Sequence, residues 1–115
     1  NYVTRAKWQD NISQIASTKL AVAECLQNRG GVIADCDVDT DLTTNVGYAG
    51  YPAATGTMTS VSVAASGASS INIIVTGTAS VGSCVVTATG TPTSNAVQWA
   101  YTTTGANCSK ALTGY

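Results

Sequence analysis

Histidine does not occur among the 115 residues, and charge is scarce: five Lys and Arg stand against six Asp and Glu, 10% of the chain, for a net charge of −1. Without imidazole there is no Ser-His or Cys-His nucleophile pair and no histidine metal ligand. Glu24 is the only glutamate, so a glycosidase pair would have to draw on loop aspartates. No GxxxxGK[ST] run exists, and Gly30-Gly31 does not join a strand to a helix, so no phosphate cradle is expected. No convergent polar cluster can be assembled; the chain reads as a non-enzyme without a cofactor. Three of the five basic residues (Arg5, Lys7, Lys19) fall in the first twenty positions. They can make a local patch but not a broad phosphate-binding surface, which argues against nucleic acid as a partner. No signal peptide or membrane-spanning apolar run is present. The sequence starts without Met and enters a helical pattern at once, which reads as a processed or truncated product.

What fills the space left by charge is small and polar. Ser and Thr make up about a quarter of the residues and glycine is frequent, a mix typical of cell-surface proteins, while the apolar fraction of 44% is ordinary for a folded domain. Cys25, Cys36, Cys84 and Cys108 form an even set with no CxxC spacing, so two disulfides in an oxidising compartment are expected rather than a zinc site. Four cysteines allow three connectivities.

Residues 1–28 hold no Gly or Pro. Trp8, Ile12, Ile15, Val22 and Leu26 recur at helical steps, which predicts one amphipathic helix ending at Asn28-Arg29-Gly30-Gly31. Lys19 lies on the same stripe and would have to snorkel. The stripe reads as core packing. Over 29–56 the periodicity disappears, and a long loop with turns is expected, with Cys36 as a candidate pin. Asp35, Asp37, Asp39 and Asp41 alternate there. Thr40 and Val46 stand where a calcium loop needs its turn glycine and bidentate glutamate, so a solvated acidic loop is the reading rather than a metal site.

After Gly56 the period changes to two. Segments 57–65, 70–76, 83–89 and 96–104 are rich in β-branched residues and separated by glycine-containing turns, predicting an antiparallel meander. Ile71, Ile73 and Val75 share one face, as do Val97, Trp99 and Tyr101. Thr102, Thr103 and Thr104 read as strand residues rather than sugar carriers. The fold class is α+β: an N-terminal amphipathic helix on a four-stranded antiparallel meander sheet, in a single domain spanning 1–115. The tail, 109–115, is mobile unless tied down. Asn11-Ile12-Ser13 and Asn107-Cys108-Ser109 match the glycosylation pattern by chance spacing and are not credited.

This order of features resembles the type IV pilins. Asn1-Tyr2-Val3-Thr4-Arg5-Ala6 looks like the family's Q-N-Y-x-x-R-[AS] stretch, just after its apolar helical half. Thr18-Lys19-Leu20-Ala21-Val22-Ala23-Glu24 looks like the later helix, and Val97-Gln98-Trp99 with Cys108-Ser109-Lys110 like the end of the head. The resemblance implies a disulfide Cys84–Cys108 closing a D-region over 84–108, with Cys84 in the role that a cysteine after the last-strand tryptophan plays in many members; Cys25 and Cys36, at the helix–loop junction, are expected as an additional pair that departs from the family pattern. It further implies about twenty apolar residues upstream of Asn1, an inner-membrane anchor before assembly, and then an extracellular filament built with other pilin subunits. The expected role is a structural subunit supporting adhesion to surfaces or host receptors, twitching motility or DNA uptake. The alternative is a minor pilin or pseudopilin acting as a binding or priming module.

Overall fold

The structure is a computed structural model that describes residues 2–94 and 96–115. Asn1, at the start of the expected helix, and Asn95, in the expected turn before the last strand, lie outside the described residues. Among the described residues the elements run α1 (Tyr2–Ser13), α2 (Ala16–Asn28), a 3₁₀ turn (Ile33–Asp35), α3 (Asp39–Val46), β1 (Met58–Ser66), β2 (Ser70–Gly77), a 3₁₀ turn (Ala79–Val81), β3 (Val85–Pro92), β4 (Val97–Thr104) and α4 (Lys110–Thr113). The sheet is antiparallel in the order β1-β2-β3-β4.

The expected single helix is two. Ser13 Oγ donates to the Asp10 carbonyl at 2.6 Å. Gln14 N–H is shared between the Asp10 and Asn11 carbonyls, and Ile15 N–H bonds Ile12, one residue short of the α register. A serine bonding back to its own helix together with one tightened turn is enough to interrupt the ladder. The tightening helps the core, because Ile12, Ile15 and Thr18, spaced by three, are all buried. Every apolar member of the predicted stripe is inside, and the inner face is wider than predicted, adding Asn11, Ala21 and Cys25. At 1.5 Å per residue, the 12 residues of α1 and 13 of α2 reach about 18 and 20 Å, together close to the 41 Å long axis of the molecule. The helix pair therefore runs the full length of the head.

The inner sheet face is a set of cross-strand rows. Val61, Val75, Val86 and Thr103 form one, Val63, Ile73, Ala88 and Tyr101 the next, and Ala65, Ile71, Gly90 and Trp99 the third. The rows balance volume: small β3 residues lie beside large β4 rings. A Cβ on Gly90 would come within 2.8 Å of the Trp99 ring, and one on Gly77 would lie 2.6 Å from the Trp8 ring and 2.7 Å from Val81. Each tryptophan thus rests on a glycine backbone. Trp8 is fully buried and its Nε1–H donates to the Val81 carbonyl at 3.2 Å.

Two segments expected to be irregular contain helix. Within 29–56, α3 starts at Asp39, where a carboxylate favours the positive helix end. Leu42 is buried under it, and Gly47 closes it in the left-handed conformation at φ 70°. In the tail, α4 is tied down: Thr113 is fully buried and its hydroxyl bonds that of Thr103 at 2.6 Å.

The glycine seats give a direct test. Gly77→Ala should lower stability by about 1–3 kcal/mol, the usual cost of overpacking a core, because the Trp8 ring has no free side to move into. Gly56→Ala, where an added Cβ meets nothing, should be nearly neutral. Denaturant midpoints of the two variants read the difference; equal midpoints would refute the seat.

Candidate functional site

Cys25, near the end of α2, is bonded to Cys36, and Cys84 to Cys108, with Cα–Cα distances of 6.0 and 5.8 Å. At sequence separations of 11 and 24, each bridge contributes about 2–4 kcal/mol in the chain-entropy view. The first pins the segment that follows α2. That segment is held further by side chains: Asn45 accepts from Arg29 and donates to the Asp35 carbonyl at 3.0 Å, Tyr48 pairs with buried Thr18, and the Tyr51 hydroxyl accepts from Val63 N–H at 3.1 Å on β1. Burial raises the pKa of both tyrosines.

The second bridge encloses more than the fourth strand. Cys84 precedes β3, so the whole β3–β4 hairpin lies inside the loop. Over the inner face of β4, Lys19 does snorkel. Its ammonium donates to the Tyr101 hydroxyl at 2.6 Å and lies 5.4 and 5.3 Å from the Trp99 and Tyr101 ring centroids. Tyr115 packs on Tyr101 at 5.2 Å. The expected patch of Arg5, Lys7 and Lys19 is thereby redrawn: Lys19 turns to the sheet, while Arg5 reaches α4, the helix that carries Lys110.

A cleft of about 650 Å³ opens between the end of α2 and the β3–β4 turn, lined by Leu26, Gln27, Gly30, Gly31, Thr93 and Val97 among others, none of them titratable. Asn11, which heads a glycosylation pattern, is 1% exposed. Its side chain donates to the Thr57 carbonyl at 2.8 Å and accepts from the Thr57 hydroxyl at 2.7 Å. It joins α1 to the start of β1, a role visible in the sequence only as an asparagine one step from Ile12 on the inner face. Thr102 and Thr104 lie exposed on β4, with Thr103 turned inward to α4.

The acidic residues divide between the loop and α3: Asp35 and Asp37 precede the helix, Asp39 and Asp41 form its first turn. Among the described residues, no group of three or more His, Cys, Asp or Glu side chains converges on a metal position. The carboxyls meet each other instead. Partial burial, then a hydrogen bond with Asp37 and its charge, then the charge of Asp35, hold the Asp41 carboxyl above its ordinary 3.8. The folded chain therefore binds this proton more tightly than the unfolded chain. The contribution favours the fold below pH 3.8 and is lost as pH rises through the higher folded value. Asp41→Asn should gain stability over the parent progressively above pH 3.8 and hold that gain at neutral pH. Thermal melts across pH would show it, and a difference that shrinks as pH rises would contradict the sign.

The assembled features are a paired helix along the head, a meander sheet, a disulfide-pinned loop and a disulfide-closed C-terminal region. A family model described as "Pilin (bacterial filament)" matches residues 4–113. No curated protein and no solved structure matches the chain. The match covers nearly every element described above, and the α+β architecture agrees with it: the chain belongs to the pilin family, the type IV pilins, which are structural subunits of bacterial filaments.

Proposed function

We propose that the chain is the repeating, surface-exposed subunit of a type IV pilus, anchored in the inner membrane before assembly and then part of an extracellular filament used for adhesion, twitching motility or DNA uptake. The supporting observation is how the helix pair is used. Its inner face is spent on the head's own core, while Tyr2, Val3 and Leu20 are 86, 60 and 68% exposed on the other side. Large apolar residues on a helix that spans the molecule suit contacts with neighbouring subunits. No described helix is itself long and apolar enough to cross a membrane, so the membrane stage rests on the apolar segment that the family places upstream. Surfaces and host receptors would meet the loop and the disulfide-closed region. Nucleic acid would find little positive charge, since the five basic residues are outnumbered by six acidic ones.

The test is complementation of a pilin-deficient bacterium with the full-length gene, followed by gold labelling with an antibody to this head. Label along the shaft is expected. Label confined to the tip or to the cell envelope would instead assign the chain to the minor pilins or pseudopilins. In the same strain Leu20→Asp should reduce filament number sharply while changing head stability by no more than about 0.5 kcal/mol, as for other surface substitutions. Normal filament yield from this variant would remove the outer helix face from assembly.

A further inference from the structure

The two halves of the helix are secured by different disulfides. Cys25, on α2, is bonded directly to Cys36. No cysteine lies on α1, which packs chiefly on α4, on the 3₁₀ turn Ala79–Val81 and on the end of β2. Two of these three belong to segments that the Cys84–Cys108 bridge draws together. Leu112 of α4 lies against the turn, since a Cβ on Gly82 would be 3.3 Å from its methyl and 3.4 Å from the Cys84 sulfur. The turn in turn holds Trp8, through the Val81 carbonyl at 3.2 Å and the Val81 side chain. Arg5 closes the circuit: its guanidinium donates to the Ala111 carbonyl at 2.8 Å, and its side-chain stem lies over Gly114.

We propose that the C-terminal segment 105–115 is a strap that locks α1 onto the head, with the Cys84–Cys108 bridge as its buckle and Arg5 as its latch. The interruption at Gln14 and Ile15 separates what the strap holds from what it does not. With the strap open, α1 loses the turn beneath Trp8 and the carbonyl beside Arg5, while α2 keeps its own bridge and its contacts with α3. The strap thus adds to the seat of Trp8 on Gly77 and the Asn11–Thr57 hydrogen bonds in docking α1. The inference concerns the head alone and holds whatever the head assembles into.

Hydrogen exchange measured peptide by peptide on the folded head tests it. Arg5→Ala should speed exchange across 2–13 on the order of tenfold, the scale of one charged hydrogen bond, with 16–28 and β1–β2 unchanged. Arg5→Lys, which retains a donor, should restore much of the protection. The double variant Cys84→Ser, Cys108→Ser should produce the larger loss in the same peptide. Unchanged exchange in 2–13 on Arg5→Ala, or an equal rise in 2–13 and 16–28, would overturn the strap. Should the double serine variant not fold, the two Arg5 variants decide alone.

Discussion

The indole of Trp8 lying on the bare backbone of Gly77 is the contact around which the head is arranged. A large ring can approach a sheet this closely only where no side chain intervenes, and β2 ends on the one residue type that leaves the space. The ring's N–H must also find an acceptor once buried. The Val81 carbonyl supplies it, so the 3₁₀ turn after β2 is held in place by the helix it supports. From that seat follow the position of α1 on the end of the sheet, the course of the chain into Cys84, and the place where the C-terminal segment returns. Trp99 on Gly90 repeats the arrangement at the other end of the inner face and leaves Lys19 lying over the β4 rings.

Charge contributes little to this arrangement. Positions 42–109 contain no Asp, Glu, Lys or Arg, so the whole sheet is built from neutral residues and its outer face shows mainly Ser, Thr, Asn and Ala. Arg5, Lys19 and Arg29 bond to a backbone carbonyl, a tyrosine hydroxyl and an asparagine. Cohesion comes from the apolar inner face, the backbone ladders and two covalent bridges, all of which are weakly affected by added salt compared with exposed ion pairs. Such a head keeps its form across changes in ionic strength, which suits a structural subunit exposed outside the cell.

Much of the architecture was legible because the pattern is strong where burial is one-sided. The period-two alternation of Ile71, Ile73 and Val75 and the helical stripe from Trp8 to Leu26 place core residues as the structure does. What escaped was local competition. Nothing in the helical periodicity reveals that the Ser13 hydroxyl bonds back to Asp10, so one helix was expected where there are two. Helix α3 hid in eight residues crowded with Asp and Thr, although Val38, Leu42 and Val46 keep a four-residue step and Gly47 closes the turn. The tail gave no periodic signal because four helical residues cannot show one. Its order comes from contacts far away in sequence, with Arg5 and Thr103. Asn11 heads a chance glycosylation pattern in the sequence, whereas in the fold it is a satisfied core amide beside the buried stripe.

In the function proposed above, folding and assembly draw on opposite sides of the same helix pair. The inner side is constrained by volume: Trp8, Ile15, Val22 and Leu26 have no room for change without a cavity or a clash. The outer side carries no such constraint, and Tyr2, Val3 and Leu20 cost the isolated head solvent exposure without an internal partner. A substitution inside alters assembly only through loss of the head, while one outside can alter assembly with the head intact. The interruption at Gln14 and Ile15 gives this division a second axis. It separates α2, anchored directly by the Cys25–Cys36 bridge, from α1, whose Arg5 meets the C-terminal segment that the Cys84–Cys108 bridge holds.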